Sequence, residues 1–236
     1  MKGKLYLIPL PIAEDTQFAV IPQQTLEAIQ STTHFLCENI RTARRYISSL
    51  KIHNSIEELH FDVLDKDTKK EFLPELFRPL LNGKNLGVMS ESGCPGVADP
   101  GALAVEYAHK NKIQVTPLVG PSSIILALMA SGLNGQKFAF HGYLPVDNAA
   151  IIKMIRLLEQ ESRQENQTQI FIETPYRNNS LLAHLIKNLS PETRLCVCYN
   201  LTGQDEKIVS QPVSVWKNAK VQFEKAPAIF LFLASL

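Results

Sequence analysis

Short apolar runs alternate along this chain with longer amphipathic segments, and that alternation limits the possible folds more than any other feature. LYLIPL, residues 5–10, has the continuous apolar character of a buried strand. PQQTLEAIQS follows as a short helix with Leu26 and Ile29 inward. THFLCE reads as a second strand, and NIRTARRYISSL as a helix with Ile40, Ala43 and Ile47 on one face. Residues 67–81, DTKKEFLPELFRPLL, have the spacing of a longer helix with Leu73, Leu76, Phe77 and Leu80 inward, though Pro74 and Pro79 fall inside it. NLGVMSES and KIQVTPLV are further strands, GPSSIILALMASGL a small-residue helix, and FAFHGYLP another strand. A second round follows: a polar helix over 148–164, the strand QIFIET, the helix PYRNNSLLAHLIKNL, the strands TRLCVCYNLT and EKIVSQ, the short helix SVWKNA and the last strand APAIFLFLA. Such alternation implies an α/β class, with a mostly parallel sheet covered by helices. A boundary is expected near residues 116–120, giving an N-terminal α/β domain at 1–117 and a C-terminal α/β domain at 118–236.

With 236 residues, 45% of them hydrophobic and 20% charged, the chain can bury a large core and is not of disordered composition. Its formal net charge of +1 excludes a strongly basic nucleic-acid binder while leaving room for a local basic patch. No apolar run reaches the ~18 residues of a membrane-spanning helix. At the start, MKGKLYLIPLPIAEDT places lysines before an apolar run, but two prolines interrupt it and acids follow. It reads as a first strand entering a loop, and the protein as cytoplasmic and without a membrane partner. The cysteines are Cys37, Cys94, Cys196 and Cys198; the C-x-C pair lacks zinc-knuckle spacing and reads as two small buried hydrophobes on one face of a strand. The six histidines are scattered, and no pair has metal-ligand spacing.

Neither G-x-x-x-x-G-K-[ST] nor a G-x-G-x-x-G after the first strand is present, so a cofactor would be held by other means. SESGCPGVADPG, Ser90 to Gly101, holds three glycines, two prolines and two carboxylates at the edge of a predicted parallel strand. Asp99-Pro100 suits a helix start, as N-cap and first helical residue. SESGCPG before it is equally a structural turn or a ligand cradle, since ligands of open α/β sheets bind at that edge. Three other segments have weaker signals. Gly120-Pro121-Ser122-Ser123 begins a helix with bare amides and hydroxyls. IETPYR sets Glu173 at a strand end beside Arg177, where an ion pair holding the turn is the plain reading. LCENIRTARR puts Glu38 at a strand end before Arg41, Arg44 and Arg45, either a solvated helix face or a phosphate-neutralising patch. No G-x-S-x-G surrounds the serines, which sets hydrolase chemistry aside.

Taken in order, LYLIPLPI, CENIRTARR, VMSESGCPGVADPG, PLVGPSSIILALMASGL, FHGYLP, FIETPYR and YNLT resemble the tetrapyrrole methylase superfamily over nearly the whole chain. Within it they are most similar to the branch that methylates a cytidine ribose 2′-hydroxyl of small-subunit ribosomal RNA. The resemblance implies two α/β domains with S-adenosylmethionine (SAM) in the cleft between them, no metal, and a homodimer. It implies cofactor contacts from Pro11, Glu91, Gly93, Val97 and Ala98, from Ser122 and Ser123, and from Glu173, Asn200, Leu201, Thr202, Ala226 and Pro227. The sequence departs from the branch pattern at several polar positions. Ala13 replaces a glycine, Asn39 an aspartate, Ile40 a threonine, Glu91 an aspartate, Tyr176 a histidine, Asn200 a glutamate and Gly203 a lysine.

The implied activity is SAM-dependent methyl transfer to ribosomal RNA or the small ribosomal subunit. A hydroxyl acceptor needs a proton acceptor within hydrogen-bond reach; Glu38 is the first candidate and Glu173 the second. Arg41, Arg44 and Arg177 are candidate RNA-phosphate contacts. Two alternatives stand beside this reading: C-methylation of a tetrapyrrole, and a SAM-binding paralogue without transfer.

Overall fold

A computed structural model describes residues 2–219 and 221–235. The chain divides into two compact units at the Ser122–Ser123 peptide bond.

The first unit is built on five strands, β1 (Leu5–Ile8), β2 (His34–Cys37), β3 (His60–Val63), β4 (Leu86–Met89) and β5 (Val115–Pro117). They lie in the order β3-β2-β4-β1-β5, and every pairing is parallel. All four residues of β4 are buried, as expected of a central parallel strand covered on both faces. Leu86 and Val88 join Leu5, Leu36, Phe77 and Ala104 in one core cluster, and Met89 joins Ile8, Phe35, Ala43 and Ile47 in another. Residues of the Ile40–Leu50 helix fill the second cluster, in the phase the sequence predicts, and those of the Gly101–Lys110 helix the first.

Two expectations change. The helix over 67–81 is broken into a 3₁₀ turn, Lys70–Phe72, and two single-turn helices, Leu73–Leu76 and Arg78–Leu81. Each proline stands at the start of one of these turns, because its missing N–H cannot continue a preceding helix. The apolar face survives the break, with Leu73, Phe77 and Leu80 buried. The strand β3 was not anticipated. It is an edge strand whose His60, Asp62 and Val63 are all exposed, so its pattern is faint.

The second unit carries β6 (Phe138–Tyr143), β7 (Thr168–Glu173), β8 (Arg194–Tyr199), β9 (Lys207–Pro212) and β10 (Ala228–Leu233), in the order β6-β7-β10-β8-β9. The expectation of mostly parallel pairing is corrected here: only β6 and β7 are parallel, and the other three pairings are antiparallel. The segment joining β8 to β9 is too short for a crossover and closes a hairpin. The helices Asn148–Glu165 and Asn178–Asn188 cover one face over Phe171, Val197 and Phe230, with Trp216 in the same cluster. The helix Ser123–Ser131 belongs to the other face through Ala127, which clusters with Ile170, Cys196, Cys198 and Ile229. Cys196 and Cys198 are free thiols, both buried, 3.7 Å apart on one face of β8. No helix of the described residues is long and apolar enough to cross a membrane.

Candidate active site

In the first unit the chain leaves β2 outward to β3 but leaves β4 in the opposite direction, past β1 to β5. A crevice therefore opens beyond the carboxyl ends of β2 and β4, the position where open α/β sheets bind ligands. Glu38 and Asn39 follow β2 directly, and Ser90 begins the glycine loop after β4. A cavity of about 680 Å³ lies here, lined by Glu38, Asn39, Asp65, Lys66, Asp67, Glu91, Ala98, Asp99 and Pro100. That volume suits a drug-sized ligand. Glu38, Glu91 and Ala98 are thus brought together, while Pro11, Gly93 and Val97 are not in the lining.

The glycine loop is fixed by its own backbone. Gly93 exchanges both amide hydrogen bonds with Leu10, at 2.9 and 3.1 Å, tying the loop to the end of the β1 segment. Ser92 Oγ donates to the Pro11 carbonyl at 3.3 Å. Gly96 has φ +82° and the non-glycine Ala98 has φ +62°. Asp99 was expected to cap the following helix, which begins instead at Gly101 with Pro100 in the cap position. Asp99 Oδ1 accepts from the Gly101 amide at 2.7 Å and reaches back to the Gly96 amide at 2.6 Å, so it closes the loop on itself. A Cβ on Gly101 would stand 2.7 Å from the Gly96 nitrogen, which is why the third glycine of the stretch is needed. Asp99 Oδ2 is buried with no hydrogen-bond partner.

Five carboxylates, of Glu38, Asp65, Asp67, Glu91 and Asp99, face this cavity against the single cation of Lys66. Burial raises the pKa of Glu38 above the ordinary carboxylate value. The negative charges of Asp99, Glu91 and Asp65 push the same way, and a hydrogen bond from the Glu91 amide opposes them. Asn39 caps the Ile40–Leu50 helix, its Oδ1 accepting from the Arg41 and Thr42 amides at 3.0 and 3.2 Å. Asparagine serves as well as aspartate in that role and adds no further charge to the cavity. Arg41 is exposed and has no ion pair among the described residues. Arg44 is committed to Glu57 at 3.4 Å and to the ring of Phe61 at 5.7 Å, and Arg45 to Glu14 at 3.5 Å.

In the second unit the other predicted residues gather at one end of the sheet. Ala228, at the start of β10, is paired on one side with Glu173, the last residue of β7, and on the other with Tyr199, the last of β8. The Asn200 amide donates to the Pro227 carbonyl at 2.9 Å, so Asn200, Leu201, Thr202, Ala226 and Pro227 belong to one edge. Asn200 and Thr202 both have left-handed φ, +48° and +68°, which is strained for a β-branched threonine. The Glu206 carboxylate holds the Thr202 amide at 2.7 Å, and Thr202 Oγ1 is buried without a partner. Asn200 folds over Gly203, where a Cβ would meet its Nδ2 at 2.5 Å, so the departures at 200 and 203 are coupled. Ser123 is the first residue of its helix and Ser122 precedes it.

Glu173 is not open to a reactant. Its side chain is 0% exposed; Oε1 accepts from the Thr174 amide at 2.7 Å, and Oε2 lies 3.2 Å from Arg177 Nη2. That last approach is an ion pair without hydrogen-bond alignment, so Oε2 still lacks a hydrogen-bond donor. Arg177 also donates to the Pro145 carbonyl at 3.4 Å, which makes it a clamp within this edge. Sequence reasoning missed Asp65 and Asp67, because they follow the faint strand β3. Among the described residues no group of three or more His, Cys, Asp or Glu side chains is placed to hold a metal ion.

The family model of the tetrapyrrole (corrin/porphyrin) methylases matches residues 4–215. The chain belongs to the tetrapyrrole methylase family. Ribosomal RNA small subunit methyltransferase I of Buchnera aphidicola (subsp. Acyrthosiphon pisum) is 27% identical to this methylase over 213 residues, 90% of this chain and 71% of that protein. The protein of that name from Escherichia coli O157:H7 is 28% identical over 212 residues, 90% of this chain and 70% of its own. The crystal structure of uroporphyrin-III-C-methyltransferase from Thermus thermophilus matches 99% of this chain and 93% of its own with a TM-score of 0.58 at 16% identity, a likeness of fold. As a member of this family the chain is a methyltransferase, and its site must accept a methyl donor and an acceptor.

Proposed function

We propose that this tetrapyrrole methylase transfers a methyl group from SAM to the ribose 2′-hydroxyl of a cytidine in small-subunit ribosomal RNA. The names of its curated relatives support small-subunit ribosomal RNA as the acceptor. Supporting the donor are the five carboxylates around the β2/β4 crevice, whose field favours a cationic ligand. The unpartnered buried oxygens of Asp99 in the first unit and of Thr202 in the second each suit a ligand group that carries amino or hydroxyl hydrogens. We assign the cofactor contacts to Pro11, Glu91, Gly93, Val97 and Ala98 in the N-terminal domain, and to Ser122, Ser123, Asn200, Leu201, Thr202, Ala226 and Pro227. Bound there, SAM would supply a methyl group on a positively charged sulfur, open to in-line displacement.

The observation that carries the mechanism is Glu38, set at the end of β2 in the crevice with its pKa raised. A raised pKa makes the ionised carboxylate a stronger base. Glu38 then receives the hydroxyl proton, and the Glu91 amide holds its orientation. Glu173, neutralised by Arg177, shapes its own edge instead. Of the three arginines, Arg41 is the one free to meet a phosphate. We further propose that the protein acts in the cytoplasm as a homodimer, which light scattering on the purified chain would test.

The test is to supply methyl-labelled SAM together with small ribosomal subunits that lack their native methylation, and in parallel with porphyrinogens. Label in the RNA is expected. Label on the tetrapyrrole, with its change in visible absorbance, would overturn the reading. S-adenosylhomocysteine binding without transfer to either would make the protein a donor-binding paralogue.

A further inference from the structure

Beside the Glu173–Arg177 clamp, the chain presents an aromatic side chain that the assigned site does not use. Tyr176 is 79% exposed, the most exposed aromatic residue of those described. It stands in a tight turn in which the Arg177 amide donates to the Thr174 carbonyl at 2.9 Å. Lys225 Nζ lies 5.2 Å from the centre of its ring and has no ion pair among the described residues.

That meeting is imposed by the backbone. The next two residues, Asn178 and Asn179, staple the Tyr176 turn to the Lys225 segment. Asn178 Nδ2 donates to the Ala226 carbonyl at 2.8 Å. Asn179 brackets Phe223, donating to its carbonyl at 2.8 Å and accepting from its amide at 2.9 Å. Phe223 is buried and stacked on Tyr199, 5.3 Å between centres. Both partners of the Lys225–Tyr176 contact are thus carried on anchored backbone, next to Ala226 and Pro227. An exposed aromatic held in this way loses little entropy when something stacks on it.

We propose that Tyr176 and Lys225 form one recognition element for the RNA substrate: an unpaired base stacks on the ring face opposite Lys225, and the ammonium meets a neighbouring phosphate. Stacking on an aromatic ring is how single-stranded RNA is commonly held, and a nearby cation adds backbone attraction. An open platform of this kind suits a splayed base, whereas a tetrapyrrole needs an enclosing apolar pocket. The proposal rests on the RNA reading above and names the side chains that recognise the acceptor.

The experiment compares Y176A, Y176F and K225A with the parent chain in methyl transfer to undermethylated small subunits, over a range of salt. Loss of the ring is expected to raise KM for the RNA by about 5- to 150-fold, the equivalent of ~1–3 kcal/mol per stacked base. The kcat, the affinity for S-adenosylhomocysteine and the Tm should be unchanged. Y176F, which keeps the ring, should retain the parent KM, and K225A should lower the log–log salt slope by about one. If the parent chain methylates RNA and Y176A keeps its KM within a factor of two, this inference fails and the RNA reading stands. If the parent chain transfers no methyl group to RNA, the RNA reading fails and takes this inference with it.

Discussion

Replacing Arg177 by alanine should destabilise the second unit by about 3 kcal/mol. The Glu173 carboxylate has no solvent exposure, and the Arg177 guanidinium, 30% exposed, is the cation beside it at 3.2 Å. At that distance the attraction is about 5 kcal/mol with an effective dielectric of about 20. Partial exposure of the arginine screens this. Removing one partner of a buried pair costs roughly 3–5 kcal/mol, mostly because the other charge is left uncompensated, so the lower end applies. For a chain of this length that is a fall in Tm of about 6–12 °C. The chain has a single tryptophan, Trp216, buried in the core of the second unit, so its fluorescence during urea unfolding reads this unit directly. Adding E173Q to R177A should recover about 2 kcal/mol, since the neutral amide no longer needs a counter-charge. A loss under about 1 kcal/mol in R177A, or no recovery in the double variant, would refute the clamp. An arginine serving only as a phosphate contact would instead leave the unfolding curve unmoved and lower the salt dependence of RNA binding.

Glu38→Gln should lower kcat by roughly 10²–10⁴-fold while S-adenosylhomocysteine binding persists, and the acid limb of the parent pH–rate profile should lie above the ordinary carboxylate range, as the raised pKa of Glu38 requires. The same substitution should stabilise the fold at pH 7. An acid whose folded pKa is raised costs stability once ionised, so the gain should vanish as pH falls below the unfolded carboxylate value of about 4.3; a Tm difference independent of pH would contradict this. Gly101→Ala should cost on the order of 1–3 kcal/mol and weaken donor binding in calorimetry, because the new methyl meets the Gly96 backbone at 2.7 Å. Asn39→Ala should cost about 1 kcal/mol through the lost cap, whereas Asn39→Asp should keep stability in thermal unfolding near that of the parent.

The central strands of the first unit were legible because parallel strands buried on both faces leave continuous apolar runs, as in LGVM of β4. The edge strand β3 left no such run, since HFDV is mostly solvent-facing. The antiparallel character of the second sheet was not legible either. Five of the six residues of β10, AIFLFL, are buried, a pattern that pairing in either direction would produce. In the site, Glu38 and Glu91 could be read from their places after strands, and Ala98 only through the family resemblance. Asp65 was hidden with β3, and Asp99 resembled an ordinary cap because its bond back to Gly96 depends on the loop's left-handed turns. The Glu173–Arg177 pair is four residues apart and visible in sequence. Lys225 and Tyr176 are distant in the chain, and only the Asn178 and Asn179 staples bring them together.

The central claim is transfer of a methyl group to a ribose hydroxyl of RNA, and the most direct measurement reads the modified nucleoside itself. Small subunits lacking native methylation are incubated with the protein and methyl-labelled SAM, and their RNA is digested to nucleosides and separated. The account predicts label in 2′-O-methylcytidine, and its loss with Glu38→Gln. Label on a base, or on a porphyrinogen offered in competition, would contradict it.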